Sequence, residues 1–524
     1  MVARPRQTAV SRLSSVLLSG RLGRLTLGNN VRFDLRWIVS SLGAVLVEFK
    51  GRAADLEVLG RVIGEIEGGA GATRGRAVIV TGRRRVGKSR LVQEFCDRAQ
   101  LPYVVFQATR GRNPVAERAD FTAALAASGL PGAEAVAGLQ AGDWNQALRA
   151  LALALPDDMP SIAVLDEIPW LAEQDREFEG ALQTVWDRHL SAKPVLLILV
   201  GSDLSVMEAL QSYGRPFFGR GARMTVNPLH LADVQAMTGL DAAAAIDALL
   251  VTGGFPEVVQ AWRPGMDLAG FLRRELADPL SPLLMAGELS LLGEFPEASY
   301  SRAVLEAIGS GERTFTMIAT EAGGASPLAS GTLSPILTTL LGKRVIAADS
   351  PLSTKADTKN KRYRIADPYL RFWLAFLQRG IPLVERGRGD ILFERIERSW
   401  PSWRGRAVEP VIRESLLRLL PNERWPQTEA LGGWWNRQNN PEIDLIGADR
   451  EPVAKHIHFL GSIKWLETQP FGRREYDTLV RDMLAVPGAD ETTPLIAVSR
   501  CGVTDDLPLA AHWGPEDLLY AWQR

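Results

Sequence analysis

The stretch Gly82-Arg-Arg-Arg-Val-Gly-Lys-Ser89 fits G-x-x-x-x-G-K-[ST] at every fixed position, and it follows a short apolar run, Ala77-Val-Ile-Val-Thr81. A strand that breaks into a glycine turn and re-enters as a helix is the framework of a phosphate-binding loop. Gly82 and Gly87 let the backbone curl so that its N–H groups face inward on phosphate oxygens, Lys88 can reach the β- and γ-phosphates, and the Ser89 hydroxyl can ligate Mg²⁺. Arg90-Leu-Val-Gln-Glu-Phe95 has helical spacing, so the positive end of its dipole would face the same phosphates. The candidate nucleotide contacts are therefore Gly82, Arg83, Arg84, Arg85, Val86, Gly87, Lys88, Ser89 and Arg90, with Lys88 also a candidate catalytic cation. A chance glycine turn would not need the flanking strand and helix. The fold class implied is α/β, with a parallel sheet carrying the loop at its carboxyl edge.

The next chemistry lies in Ile162-Ala-Val-Leu-Asp166-Glu167, a buried-strand pattern that ends in two acids. Asp166 at the strand's end can hold Mg²⁺, and Glu167 can orient or deprotonate an attacking water. Many strands end in acids; the pattern gains weight from following the phosphate loop. A further apolar strand, Val195 to Val200, ends in Gly201-Ser202. Ser202 could sense the γ-phosphate or the attacking water, and a simple turn fits the same residues. In Gly214-Arg-Pro-Phe-Phe-Gly-Arg220, Arg220 could place a guanidinium on the γ-phosphate in cis or in trans, or be a surface ion-pair residue.

Composition sets the bounds. With 524 residues the chain is long for one core. Sixty Lys+Arg against 61 Asp+Glu leave a net charge of −1, so any claim on nucleic acid rests on local patches. The two cysteines, Cys96 and Cys501, exclude a cysteine metal cluster and a disulfide scaffold and suit a reducing cytoplasm. No apolar run is long enough to span a bilayer. Residues 1–45 carry Arg4, Arg6, Arg12, Arg21, Arg24 and Arg32 before their first acid, Asp34, and read as a poorly ordered basic extension.

Taken together, Phe49-Lys-Gly-Arg52, the phosphate loop, Leu165-Asp-Glu167, Gly201-Ser202, Pro216-Phe-Phe-Gly-Arg220 and Gly253-Gly-Phe-Pro256 resemble the archaeal-type ATPases, P-loop proteins of the AAA+/STAND class that also occur in bacteria. The likeness runs from about residue 46 nearly to the carboxyl end. It implies a P-loop ATPase core (46–228), a helical lid (229–295), a winged helix (296–380) and a C-terminal restriction-endonuclease-like α/β domain (381–524). It also implies that Gly253-Gly-Phe-Pro256 lies near the adenine and couples nucleotide state to the lid, which adds Pro256 to the nucleotide contacts. The expected function is an ATP-binding and ATP-hydrolysing switch using ATP and Mg²⁺, cytoplasmic, with no membrane, and with a second copy or another protein as partner. The alternatives are an ATP-regulated metal-dependent nuclease and a DNA-binding regulator with little turnover.

Within the winged-helix part, Val304–Ile308, Thr316–Ala319 and Leu333–Leu341 read as three helices, and Val345–Ala348 with Tyr363–Ile365 as the wing. Lys355, Lys359, Lys361 and Arg362 make its tip a basic patch suited to non-specific DNA phosphate contact. The third helix has no Arg, Lys, Asn or Gln for base edges, so a packing and signalling role is equally open. In the last part, Gly405–Glu409 is expected to begin a helix, followed by strands at Pro441–Ile446 and Phe459–Trp465. The likeness implies a nuclease site in which Asp444 and Lys464 match, while Ser462 stands where a second acid is needed. Glu442, on the strand face of Asp444, or Glu409 could supply one. A degenerate site is the expectation.

Overall fold

Strands β3 (Ser161–Asp166) and β4 (Val195–Val200) are buried at every position, and they lie in the middle of a wholly parallel sheet. Its other members are β1 (Arg76–Thr81), β2 (Tyr103–Gln107) and β5 (Ala222–Thr225), in the order β2-β3-β4-β1-β5. Strands covered by helices on both faces have no polar side to alternate with, which is why both read as unbroken apolar runs. Helix α1 (Ala53–Gly68) precedes β1, and α2 (Lys88–Ala99) follows it directly. On one face, Phe106, Phe121, Trp144 and Phe178 pack edge to face in series, with centroids 5.1–5.7 Å apart. Because β4 sits between β1 and β3, the residues that follow all three emerge along one carboxyl edge.

The computed structural model describes Leu25–Leu27, Val31–Phe33, and residues 49–68, 75–294, 300–309, 311–357, 359–504 and 506–523. The chain divides into Met1–Lys50 and Gly51–Arg524. In the first, Leu25–Leu27 and Val31–Phe33 pair as an antiparallel hairpin; the rest of the basic extension at 1–45 lies outside the described residues.

After β5 the chain is helical: Leu231–Thr238, α3 (Ala242–Thr252), α4 (Pro256–Gln260), Leu268–Glu275 and Pro282–Glu294. Three more helices follow, Tyr300–Ile308, Phe315–Gly323 and Ser330–Gly342, then the antiparallel pair β6 (Ile346–Asp349) and β7 (Arg362–Ile365). Arg313 pairs with Tyr363 through both backbone hydrogen bonds and so adds a third rung beside β7.

The segment between β6 and β7 is docked rather than projecting. Leu352 is buried with Ala430 and Ile443, and its N–H donates to the Gly433 carbonyl at 2.9 Å. Lys355, Lys359 and Lys361 are exposed, but Arg362, expected with them in a DNA-facing patch, is 7% exposed. Its guanidinium donates to Glu442 (2.6 Å) and Asn439 (2.8 Å), pairs with Glu312 (3.2 Å) and covers the Trp435 ring. A cation this enclosed by acids serves packing, and the patch loses one of its four members.

A second boundary also moves. Helix α5 (Gly389–Ala407) runs through Gly405 and ends there instead of beginning, and α6 (Glu409–Leu419) starts at Glu409, because Pro410 suits a helix's first turn. Beyond it lie β8 (Ala430–Trp435), β9 (Glu442–Ala448), β10 (Ile457–Lys464), α7 (Arg473–Met483), β11 (Leu495–Ser499) and β12 (Ala511–Trp513). They form a mixed sheet, β8, β9 and β10 antiparallel and β10, β11 and β12 parallel. Among the described residues no single helix is long and apolar enough to cross a membrane.

Candidate functional site

The loop from Gly82 to Gly87 holds a geometry that side chains would forbid. Gly82 has φ +156°, and a Cβ there would meet the Val226 carbonyl oxygen at 2.3 Å. Arg85 and Gly87 also take positive φ (65° and 87°), and Gly87 opens α2 with no side-chain cap. Inside the curl the Lys88 ammonium donates to the carbonyls of Gly82 (2.8 Å) and Arg83 (2.9 Å). Those two carbonyls hold the buried ammonium inside the curl, beside the first turn of α2. An uncapped helix N-terminus with a buried ammonium beside it fits a polyphosphate. Ser89 is exposed on the first turn, Val86 is buried, Arg84 is half-buried, and Arg90 turns to Glu94 (3.1 Å).

On the same edge, Asp166 ends β3 with its side chain buried, and its Oδ1 accepts the Glu167 N–H at 2.8 Å. Glu167 takes a left-handed backbone (φ 55°), which re-aims its side chain at the end of β4. There the Ser202 hydroxyl lies 3.0 Å from both carboxylate oxygens. The structure thus brings Lys88, Asp166, Glu167 and Ser202 to one strand edge, and Ser202 is more than a turn residue. Arg220 is elsewhere. Its guanidinium takes both oxygens of Asp187 (2.8 and 2.7 Å) and the carbonyls of Pro216 and Phe218. The hydrogen bonds from Arg220 hold the Asp187 carboxyl below its usual range. This is an ion pair within the chain, with no phosphate-loop residue among its partners, so a role of Arg220 in its own site has no support.

Two loop arginines reach other parts of the chain. Arg83 pairs with Asp367 (2.6 Å), and Arg85 with Glu257 in α4 (2.8 Å). Asp367 uses its other oxygen to cap the helix Pro368–Phe372 through the Leu370 N–H (2.9 Å), so one buried carboxylate bridges the phosphate loop and the helix that follows β7. Gly253 fits beneath it, since a Cβ there would lie 2.6 Å from that of Tyr369. Pro256 packs by the phosphate loop, 3.5 Å from where a Gly87 Cβ would sit. Arg52 braces the loop from behind, donating to the carbonyls of Val86 and Asn227. Sequence reading assigned neither Arg52 nor Asp367 this work. The motif repeats around them were visible, but partners as distant as Arg83 and Asp367 leave no local spacing signal.

The C-terminal acids are arranged differently. Asp444 Oδ2 accepts the Ser462 hydroxyl (2.9 Å) and the Ile463 N–H (2.8 Å), and burial pushes its carboxyl up. Glu409 pairs with Arg413 (2.9 Å), yet burial still drives its pKa to about 8. Glu442 is half-buried, and hydrogen bonds from Arg362 and Arg406 outweigh its desolvation and hold it low. Its carboxylate is thus engaged by two arginines. Lys464 faces Glu475 of α7 at 3.8 Å. Among the described residues no cluster of three or more His, Cys, Asp or Glu is arranged to hold a metal. A separate buried node joins this region to α3: Asp247 pairs with Arg404 (3.0 Å) and Arg500 (2.9 Å).

Residues 373–478 match the family described as archaea bacterial proteins of unknown function (DUF234). An uncharacterized protein of Methanocaldococcus jannaschii is 24% identical over 417 residues, 78% of this chain and 86% of the relative. Among solved structures, a Walker-type ATPase of Pyrococcus abyssi is 18% identical and covers 62% of this chain and 96% of its own, at a TM-score of 0.44. The ORC2 protein of Aeropyrum pernix is 13% identical and covers 66% and 96%, at 0.42. At these scores the structural likenesses carry no residue-level weight, and the site stands on its own geometry.

Proposed function

We propose that the chain is an ATP-binding and ATP-hydrolysing switch. The observation that carries this reading is the convergence on one strand edge of a buried Lys88 held inside a glycine curl and a Glu167 carboxylate held by Ser202 beside Asp166. Lys88 and the start of α2 bind the β- and γ-phosphates. Glu167 accepts the proton of the attacking water, and Ser202 sets its position. Ser89 and Asp166 are the residues that would hold Mg²⁺, which when bound neutralises phosphate charge.

Arg83 and Arg85 link that chemistry to the rest of the chain, because an anion on the loop competes with Asp367 and Glu257 for their guanidinium groups. Through Asp367 the phosphate state reaches the helices and wing-like pair of 296–380, which we read as a winged helix used for packing and signalling. The order α6, three antiparallel strands, α7 and a parallel strand supports a restriction-endonuclease-like reading of 381–524. Its Ser462 and paired acids support a degenerate site. Binding of labelled ATP should fall about 100-fold in Lys88→Ala, given the strength of charge-assisted hydrogen bonds. Equal affinity in the variant and the wild type would remove the phosphate-loop assignment.

A further inference from the structure

A cavity of about 560 Å³ adjoins the phosphate loop, a volume within the range of roughly 300–1,000 Å³ common to small-molecule sites. Gly82 and Arg83 belong both to the loop and to its wall, so a ligand anchored by phosphates on Lys88 has a continuous path into it. Arg52 and Asp55 form one side, fixed by the hydrogen bonds of Arg52 to the loop and to the Asn227 carbonyl. Val226, Leu229 and Leu249 supply apolar surface.

A further part of the wall comes from distant sequence. Val411, Glu414 and Arg418 of α6 line the cavity, together with Trp522. Trp522 is held by three contacts. Its ring stacks on His230 at the start of the lid, with centroids 5.6 Å apart and planes 28° apart. The Arg418 guanidinium lies 3.7 Å from the ring centroid on its own account. The indole N–H donates to the Ser415 hydroxyl at 2.8 Å. An aromatic ring held by a stack, a cation and a hydrogen bond is a fixed closure.

Resting on the ATP-binding reading, we propose that this cavity receives the base and ribose of the nucleotide, and that Trp522 with Arg418 is a door whose opening limits nucleotide release. The door joins the lid, through His230, to the C-terminal region, through α6. By reciprocity, whatever draws α6 away from the lid speeds exchange, and bound nucleotide holds α6 in place. Trp522 and Arg418 are positioning residues; neither touches the phosphates.

The test is release of radiolabelled ADP from the full chain, chased with unlabelled ADP, in wild type, Trp522→Ala and Arg418→Ala. Truncating a side chain of this kind acts mainly on dissociation, so release should quicken roughly tenfold in each variant. The association rate of ADP should change far less than its release, a split that damage to the phosphate loop would not give. Arg418 is partly exposed and paired only with Glu414, so its variant keeps the test valid should Trp522→Ala misfold. Release within about twofold of wild type in a folded Arg418→Ala would overturn the door. A wild-type chain that retains no labelled ADP would instead overturn the ATP-binding reading itself, before any variant is compared.

Discussion

The carboxyl edge of the parallel sheet and the Asp444 end of the mixed sheet hold the same ingredients, buried acids and a lysine near strand ends. They satisfy them in opposite ways. At the first, Lys88 rests on two carbonyls and Glu167 on a hydroxyl. Carbonyls and a hydroxyl fix the direction of these side chains at the edge where β1, β3 and β4 end. At the second, Glu442 has Arg362 and Arg406, Lys464 faces Glu475, and Glu409 keeps its proton beside Arg413. The lesson is that acids and a lysine at strand ends do not by themselves define a catalytic centre; what each is tied to must be read as well.

The largest effect that could break this contrast is on stability. Removing a cation from the self-compensated region should cost more than removing one from the phosphate loop. Arg362→Ala takes a buried cation from half-buried Glu312 and leaves Glu442 with Arg406, and should lose about 1.5–3 kcal/mol in urea unfolding. Lys88→Ala forfeits hydrogen bonds to two carbonyls and should lose about 1 kcal/mol. Similar losses in the two variants would mean that the regions do not differ as described.

A smaller effect follows from Glu409. In the folded chain it keeps its proton up to about pH 8, against an ordinary value of 4.5. Between those values the folded state binds the extra proton, so this group lowers stability as pH rises through the window. Glu409→Gln carries no such proton. Its stability relative to wild type should therefore grow by about 1–3 kcal/mol between roughly pH 5 and 8. A constant difference across denaturant melts at those pH values would place Glu409 among ordinary ionised carboxylates.

The smallest expected signal is at the nuclease-like site. Wild type should show no Mg²⁺-dependent cleavage of plasmid, since Ser462 gives Asp444 a hydrogen bond where a second carboxylate would be needed. Ser462→Glu has the best prospect of creating weak cleavage. Robust wild-type cleavage lost in Asp444→Ala would show that the two regions are both catalytic.

Most of the framework was legible in the sequence because it is local. The apolar runs at 162–165 and 195–200 could only be buried strands, and the glycine loop fixes its own strand and helix. The positions of Asp166, Glu167 and Ser202 at strand ends were legible for the same reason, Asp166 closing one strand and Glu167 and Ser202 lying within two residues of strand ends. What escaped was set by tertiary contact. Arg362 looked like part of a basic tip beside three lysines, but Glu312, Glu442 and Trp435 enclose it from elements 50 to 80 positions away. For Arg220 the sequence left a phosphate contact and a surface ion pair both open, and its partner Asp187, 33 positions away, leaves no local signal to separate them. The helix boundary at Gly405 was misplaced because helix-compatible residues run on both sides of it and only Pro410 marks the new start.

The central claim is that the strand edge with Lys88, Asp166, Glu167 and Ser202 hydrolyses ATP, and steady-state turnover of Glu167→Gln tests it most directly. Gln keeps the shape and can still accept the Ser202 hydrogen bond, but it cannot take a proton from water. The account predicts that the variant binds ATP as tightly as wild type and turns it over at least about 100-fold more slowly. Hydrolysis by Glu167→Gln at the wild-type rate would contradict it.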